Sequence, residues 1–158
     1  MKNPPLPPWS WRPIPLLALG FGSGRAPVAP GTFGTLIGVL IYLPMSLLPQ
    51  PWYLGVTALL ALIGIPICGL AAREFGVHDH SAIVWDEIVG YLITMAFAPQ
   101  GWLWIVVGFL LFRFFDILKP WPISWLDRQV CGGLGIMVDD IAAGLVAALV
   151  LAGLSLIY

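Results

Sequence analysis

Five carboxylates lie at the ends of apolar segments, where an acidic side chain is expensive unless it has a partner or a chemical role. They are Asp86, Glu87, Asp116, Asp139 and Asp140. Ionisable side chains at the edge of apolar helices normally face a bundle interior or a water-filled cavity. An acid in a first helical turn also complements the helix dipole, worth about 0.3–1 kcal/mol. That explanation is sufficient for one residue but not for the set, because clustered carboxylates repel one another unless a cation lies between them.

A cluster of carboxylate oxygens favours Mg²⁺, which takes a few such ligands and leaves room for waters and a substrate phosphate. A transition-metal site is the weaker interpretation. His78 and His80 flank Asp79, but no cysteine lies near them in the sequence. The two histidines are therefore interpreted as polar loop residues.

Two cations accompany the acidic positions. Arg113 and Asp116 are three residues apart and share a helix face, where a simple salt bridge would satisfy both. Lys119 follows one turn later, just before Pro120. A planar guanidinium and an ammonium group beside a metal are suited to binding a phosphate ester. A Ser-His-Asp hydrolase is disfavoured because no GxSxG pattern is present.

The glycine-rich segment 20–35, GFGSGRAPVAPGTFGT, is the candidate for binding the anion. We expect a shaped loop, because backbone N–H groups in such loops bind phosphate. It is not a P-loop, since GxxxxGK[ST] is absent. The candidate phosphate-binding residues are Ser23, Gly24, Arg25, Thr32 and Thr35.

The elements that position these residues are apolar. Hydrophobic residues make up 59% of the chain and charged residues 9%, against about 25% charged residues in a typical globular protein. This is too little polar surface for a soluble helix bundle, so an integral membrane protein is predicted. The net charge of −1 gives no indication of nucleic-acid binding. Cys68 and Cys131 form no CxxC pair and are interpreted as free thiols.

The predicted architecture is an all-α membrane bundle of about five helical segments in one domain, residues 1–158. Residues 1–19 form a Pro- and Trp-rich arm, which six prolines within 1–15 keep extended. Two hairpins and a C-terminal helix follow. The five segments are 33–48, 52–72, 82–98, 102–118 and 141–158.

The distribution of charge predicts the topology. If both hairpins cross the membrane, all fifteen charged residues lie on one side. The positive-inside rule identifies that side as the cytoplasm, so the N-terminus is inside and the C-terminus outside. Segment 82–98 reaches only about 25 Å at 1.5 Å per residue. A second hairpin that enters the membrane and returns to the same side is therefore an alternative to one that crosses it.

Small residues are aligned with the acids on two of these helices. Gly90 follows Glu87 by three residues, and Gly144 follows Asp140 by four. Small residues let helices approach closely in a bilayer. We expect this packing to bring the acids together, although the same pattern also serves ordinary helix packing.

Four segments together resemble the phosphatidylglycerophosphatase A family, which are lipid phosphatases of the bacterial inner membrane. They are 20–35 (GFGSGRAPVAPGTFGT), 76–90 (GVHDHSAIVWDEIVG), 112–128 (FRFFDILKPWPISWLDR) and 132–144 (GGLGIMVDDIAAG), in the order of the family. The resemblance implies Mg²⁺-dependent hydrolysis of phosphatidylglycerophosphate to phosphatidylglycerol and phosphate. The substrate would be a phospholipid of the bilayer, and the site would face the cytoplasm.

The resemblance also implies a role for each matched residue. The residues implied to hold Mg²⁺ are Glu87, Asp116, Asp139 and Asp140. The residues implied to be catalytic are Asp79, Asp86, Arg113 and Lys119, the two acids as general-base candidates and the two cations as phosphate ligands. Attack by water and attack by an aspartate are both open. Another lipid-phosphate phosphatase or phosphotransferase is an alternative. An ion channel or transporter is a further alternative, which the clustering of charge at one end disfavours.

Overall fold

The computed structural model describes residue 6, residues 11–77 and residues 80–157. Within these residues the protein is all-helical and has no strand, so the predicted fold class is confirmed at that level. A 3₁₀ helix, Gly20–Arg25, lies between the first two of seven α-helices. These are α1 (Pro13–Ala18), α2 (Pro30–Met45), α3 (Gln50–Phe75), α4 (Trp85–Thr94), α5 (Trp102–Leu118), α6 (Ile123–Gln129) and α7 (Gly132–Ser155).

The N-terminal arm was predicted to be extended; residues 1–5 and 7–10 of it lie outside the described residues. Helix α1 begins at Pro13, and the extended interpretation of residues 13–15 is wrong. Proline is tolerated in a first helical turn, because the N–H that it lacks has no partner there.

The first part of the glycine-rich segment 20–35 is a compact, kinked pair of 3₁₀ turns, with positive φ angles of 57° at Phe21 and 100° at Gly22. Its second part is helical, because α2 begins at Pro30.

Helix α7 begins at Gly132, nine residues before the predicted start. Asp139 and Asp140 therefore lie two turns inside the helix and are not at its beginning. The glycines before them permit close packing against α3. A Cβ on Gly133 would lie 2.7 Å from the backbone nitrogen of Gly69 and would also collide with the carbonyl of Ile65.

Helix α4 is the centre of the bundle and is shorter than predicted, with 10 residues, about 15 Å of helix. Nearly all of it is buried, including Ile88, Tyr91 and Leu92. It packs against α2 on one side and α7 on the other. Segments 82–84 and 95–98, predicted to be helical, lie outside it.

The turns between α2 and α3 and between α4 and α5 lie at the same end of the bundle. The side-chain amide of Gln50 donates a hydrogen bond to the carbonyl of Ala96. Nearby, the Tyr53 hydroxyl donates to the carbonyl of Leu92 at 2.7 Å. Helices α3 and α7 are both long and apolar enough to cross a membrane. Their presence supports the membrane interpretation, while a bundle of five spanning segments remains a prediction.

Candidate active site

A polar cavity of about 320 Å³ lies where five helical elements converge. Helices α2 and α4 contribute to its wall near their first turns and α5 near its last turn, while α6 contributes Asp127 and α7 contributes residues within 135–140. The charged residues that line it are Asp86, Glu87, Arg113, Asp116, Lys119, Asp127, Asp139 and Asp140. The structure therefore brings together all but one of the acids and cations predicted to act in catalysis or metal binding. The exception is Asp79, which lies outside the described residues.

Three carboxylates form the centre of this cavity. Asp86, Glu87 and Asp140 each offer one oxygen, and the three atoms lie within 4.8 Å of one another. Asp86 and Glu87 occupy the first turn of α4, while Asp140 comes from the middle of α7. The two helices approach closely because Gly90 has no side chain. A Cβ there would lie 2.9 Å from the backbone oxygen of Asp140.

Burial makes this cluster a good host for a cation. Asp86 is 8% exposed and Asp140 is 3% exposed. Glu87 Oε2 and Asp140 Oδ2 are buried and have no hydrogen-bond partner within the described part of the chain. Leaving buried polar atoms unpaired is costly, and the mutual repulsion of nearby carboxylates adds to that cost. An all-oxygen donor set with two such atoms fits a hard divalent ion such as Mg²⁺.

Arg113 connects the carboxylate cluster to the end of α5. Its Nη1 atom is paired with Asp116, one turn along the same helix, and lies 3.9 Å from Oε1 of Glu87. The side chains of Arg113 and Asp116 are only 14% and 12% exposed. The predicted pairing of these two residues is present, but the guanidinium also faces the cavity.

Lys119 ends α5 in a left-handed backbone conformation, with φ of 42°. Its ammonium group donates hydrogen bonds to Asp127 of α6 at 2.7 Å and to Asp139 of α7 at 2.5 Å. Burial by itself would lower the pKa of Lys119. The hydrogen bonds to Asp127 and Asp139 outweigh that effect and raise the pKa above its ordinary value. Lys119 therefore stays charged at neutral pH.

The five phosphate-binding residues predicted in the glycine-rich segment 20–35 are not among the residues that line this cavity. Thr35 is fully buried, and its hydroxyl donates to the carbonyl of Gly31 at 2.8 Å. Gly24 packs against the backbone of Ala82, where a Cβ would collide with the carbonyl. Ser23, Arg25 and Thr32 are partly exposed outside the lining. Their role in binding phosphate remains a prediction.

Asp127 and Gly31 are among the cavity residues that reasoning from the sequence missed. Asp127 lies on the short helix α6, whose seven residues carry too weak a pattern to be predicted. Its only signal was an acid between Lys119 and Asp139. Gly31 lies in the first turn of α2 and lines the cavity. A Cβ on Gly31 would collide with Oε1 of Glu87 and lie 3.0 Å from Nη1 of Arg113.

The architecture and the cavity together define a class: all-helical proteins with apolar helices and a buried carboxylate site flanked by an arginine and a lysine. Comparison with known sequences identifies the family. The sequence profile of phosphatidylglycerophosphatase A matches residues 16–155. The chain belongs to the phosphatidylglycerophosphatase A family and is a phosphatase.

Individual relatives agree with this assignment. Phosphatidylglycerophosphatase A of Escherichia coli strain K12 is 49% identical over 137 residues, 86% of this chain and 80% of that protein. Phosphatidylglycerophosphatase A of Haemophilus influenzae is 49% identical over 140 residues, 87% and 86% of the two chains. A Bacteroides thetaiotaomicron protein named "Putative phosphatidylinositol-3-phosphatase" is 37% identical over 160 residues, 96% of each chain. No solved structure matches the chain.

Proposed function

We propose that this protein hydrolyses phosphatidylglycerophosphate to phosphatidylglycerol and inorganic phosphate, with Mg²⁺ as cofactor, in phospholipid biosynthesis. The observation that carries the proposal is the cavity in which Asp86, Glu87 and Asp140 meet Arg113 and Lys119. Anionic oxygens for a metal and two cations for a phosphomonoester occur together there. The two relatives at 49% identity are named for this activity.

We propose that three of the five acids bind the metal and that the other two bind the cations. Asp86, Glu87 and Asp140 would hold Mg²⁺, because their oxygens already lie close together. The two other acids expected to be ligands are bound to cations instead, Asp116 to Arg113 and Asp139 to Lys119. We propose that Asp116 and Asp139 orient those cations. When bound, the ion would neutralise charge on the phosphoryl group and lower the pKa of an attacking water.

Arg113 and Lys119 would bind the phosphate oxygens of the substrate. A guanidinium offers two parallel donors and an ammonium a single strong point charge. Both groups line the same cavity as the carboxylates. The substrate phosphorus would therefore lie between the acidic cluster and the two cations, and the lipid tails would extend out of the cavity.

We propose that water is the nucleophile. It forms the new P–O bond as the P–O bond to glycerol breaks. The carboxylate oxygen of Asp86 that does not hold the ion takes the proton of the water and passes it to the leaving alkoxide. A carboxylate engaged in holding a cation is a poor nucleophile, which disfavours an aspartyl-phosphate. A single turnover in ¹⁸O-labelled water tests which bond breaks, and the label should appear in the released phosphate and not in phosphatidylglycerol. Acid quenching during turnover tests the nucleophile: no phosphorylated protein is expected, and a trapped phosphoaspartate would overturn direct attack by water.

We further propose a multi-pass protein of the bacterial inner membrane whose active site faces the cytoplasm. Helices α3 and α7 are the candidate spans. The Gln50–Ala96 hydrogen bond supports two hairpin turns at the end remote from the charges. A cysteine at Gln100 in intact cells tests the orientation. Labelling by a membrane-impermeant reagent from outside is expected, whereas labelling only after the membrane is opened would indicate a re-entrant α4–α5 pair.

The activity is tested by measuring phosphate release from defined lipids by the purified protein. Phosphatidylglycerophosphate should be hydrolysed with Mg²⁺, and EDTA should abolish the reaction until Mg²⁺ is restored. Phosphatidylinositol 3-phosphate and phosphatidic acid complete the panel, the former because of the name of the Bacteroides relative. A preference for either of these lipids would redirect the proposal to another lipid-phosphate phosphatase. Ion flux in liposomes without any phosphate release would contradict it altogether.

A further inference from the structure

Lys119 is held from two sides by acids that come from different helices. Asp139, on α7, is nearly buried, with 8% of its side chain exposed. Asp127, on α6, is 39% exposed and lies at the rim of the same cavity. The lysine between them is 28% exposed. The ammonium thus lies at the boundary between the buried acidic cluster and the outside, where a phosphomonoester has to enter.

An ammonium group has three N–H donors and no acceptor. Hydrogen bonds to Asp127 and Asp139 take two of them. Because the three N–H bonds point in fixed directions from Nζ, fixing two of them also fixes the third. A lysine side chain with a single acidic partner can rotate about that one contact, since its four-carbon stem is flexible.

Asp127 contributes little else that would explain its position. An ion pair whose acid is more than a third exposed adds little to stability, and α6 is anchored to the bundle by Ile123, which is 1% exposed. The side chains next to Asp127 on α6 do not line the cavity. Its contact with Lys119 is therefore the feature that connects α6 to the phosphate chemistry.

We propose that Asp127 is a positioning residue: together with Asp139 it holds Nζ of Lys119 so that the one remaining N–H donor meets the phosphate of the substrate. This inference rests on the proposed phosphatase site but not on which lipid carries the phosphate. It assigns α6, which touches the cavity through Asp127, a role in substrate binding.

The test is a double-mutant cycle on the full-length enzyme with phosphatidylglycerophosphate. Asp127→Asn should raise KM roughly 10- to 30-fold, the lower range for one charge-assisted hydrogen bond, with a much smaller change in kcat. In the Lys119→Ala background the same substitution should have no further effect, because Asp127 acts through the lysine. Asp127→Glu should restore part of the affinity. Arg128→Gln, which removes a charge from the same helix outside the cavity lining, is the matched control and should leave KM unchanged.

A second measurement does not depend on the lipid or on turnover. Inorganic phosphate is used as the probe, and its binding is followed by the rise in the thermal unfolding midpoint of the Mg²⁺-loaded protein in detergent. Asp127→Asn should weaken phosphate binding by the same factor as it raises KM. Additive effects in the cycle, or unchanged phosphate affinity, would show that Asp127 only supports the fold. A third outcome separates the two proposals: the wild-type protein does not hydrolyse phosphatidylglycerophosphate, yet Asp127→Asn still weakens phosphate binding. That result would refute the proposed substrate and support the positioning role.

Discussion

Gly144 of α7 lies directly against Gly90 of α4. A Cβ on Gly144 would lie 2.5 Å from the carbonyl oxygen of Gly90. The Thr94 hydroxyl donates to both carbonyls of this crossing, at 3.0 Å to Gly90 and 3.4 Å to Gly144. One turn away, Glu87 and Asp140 meet in the cavity. The distance between the two acids is therefore set by a contact between two glycines.

We expect Gly144→Ala to destabilise the protein by about 1–3 kcal/mol, the usual cost of overpacking, because the new methyl group collides with backbone that cannot rotate away. The midpoint of thermal unfolding in detergent should fall, and activity should fall with it as α4 and α7 separate. Gly153→Ala on the same helix is the control. Nothing lies within 4 Å of a Cβ there, and alanine should stabilise the helix by about 0.5–1 kcal/mol. Equal stabilities for the two variants would contradict the close crossing.

Gly31→Ala separates activity from stability. Its Cβ would meet Oε1 of Glu87 and the guanidinium of Arg113, which are the ends of flexible side chains and can move aside. The fold should therefore survive with an unchanged unfolding midpoint. Moving a reacting group by about 1 Å can cost about 100-fold in rate, and we expect a loss of that order in phosphate release. Gly55→Ala, with open space around its Cβ, should keep full activity, and normal turnover by Gly31→Ala would contradict the placement of Glu87 in the site.

Asp140→Asn should abolish turnover while the protein still folds and inserts. The amide has the size of the carboxylate but lacks the charge to hold a cation, and even substitutions of groups that only support metal ligands cost about 10- to 100-fold. The loss should exceed that range in the phosphate-release assay. Stability should hold or rise, because one buried charge is removed from a cluster of acids. The control is Glu74→Gln, whose carboxylate pairs with Arg12 at 2.8 Å outside the cavity lining. A near-normal rate for Asp140→Asn would remove Asp140 from the site.

Arg113→Lys tests whether substrate binding requires the two parallel N–H donors of the guanidinium group or only its positive charge. The arginine is paired with Asp116, lies 3.9 Å from Glu87 and faces the cavity. A lysine cannot form two parallel hydrogen bonds to a phosphate. We expect KM to rise roughly tenfold, the worth of about one hydrogen bond to a charged group. Arg128→Lys on α6 is the control and should show wild-type kinetics. An unchanged KM for Arg113→Lys would show that only the positive charge at this position is needed.

Much of the site was predictable because its chemistry is local in the sequence. The acids and the two cations stand out against a chain with only 9% charged residues. The alignment of Gly90 with Glu87 and of Gly144 with Asp140 follows from helical spacing alone. The predicted contact between those two faces is confirmed.

The boundaries of the helices and the contacts between residues far apart in the sequence were less predictable. The sequence places Asp139 and Asp140 at a glycine-rich boundary, where glycine normally disfavours helix, yet α7 runs through it because Gly133 packs against α3. The seven residues of α6 are too few for a periodic pattern, so Asp127 was missed. The glycine-rich segment 20–35 was expected to reach the anion site, but of its residues 29–31 line the cavity while 20–25 do not.

The sequence by itself determined the helical class, the apolar character and the set of groups available for phosphate chemistry, because composition and helical periodicity are local properties. The pair of Arg113 and Asp116 also follows from helical spacing. Only the tertiary structure decided which groups from different helices meet: Asp139 is bound by Lys119, and Asp86, Glu87 and Asp140 share one cluster. That choice depends on where helices cross, and the crossings are set by close contacts between glycines far apart in the chain.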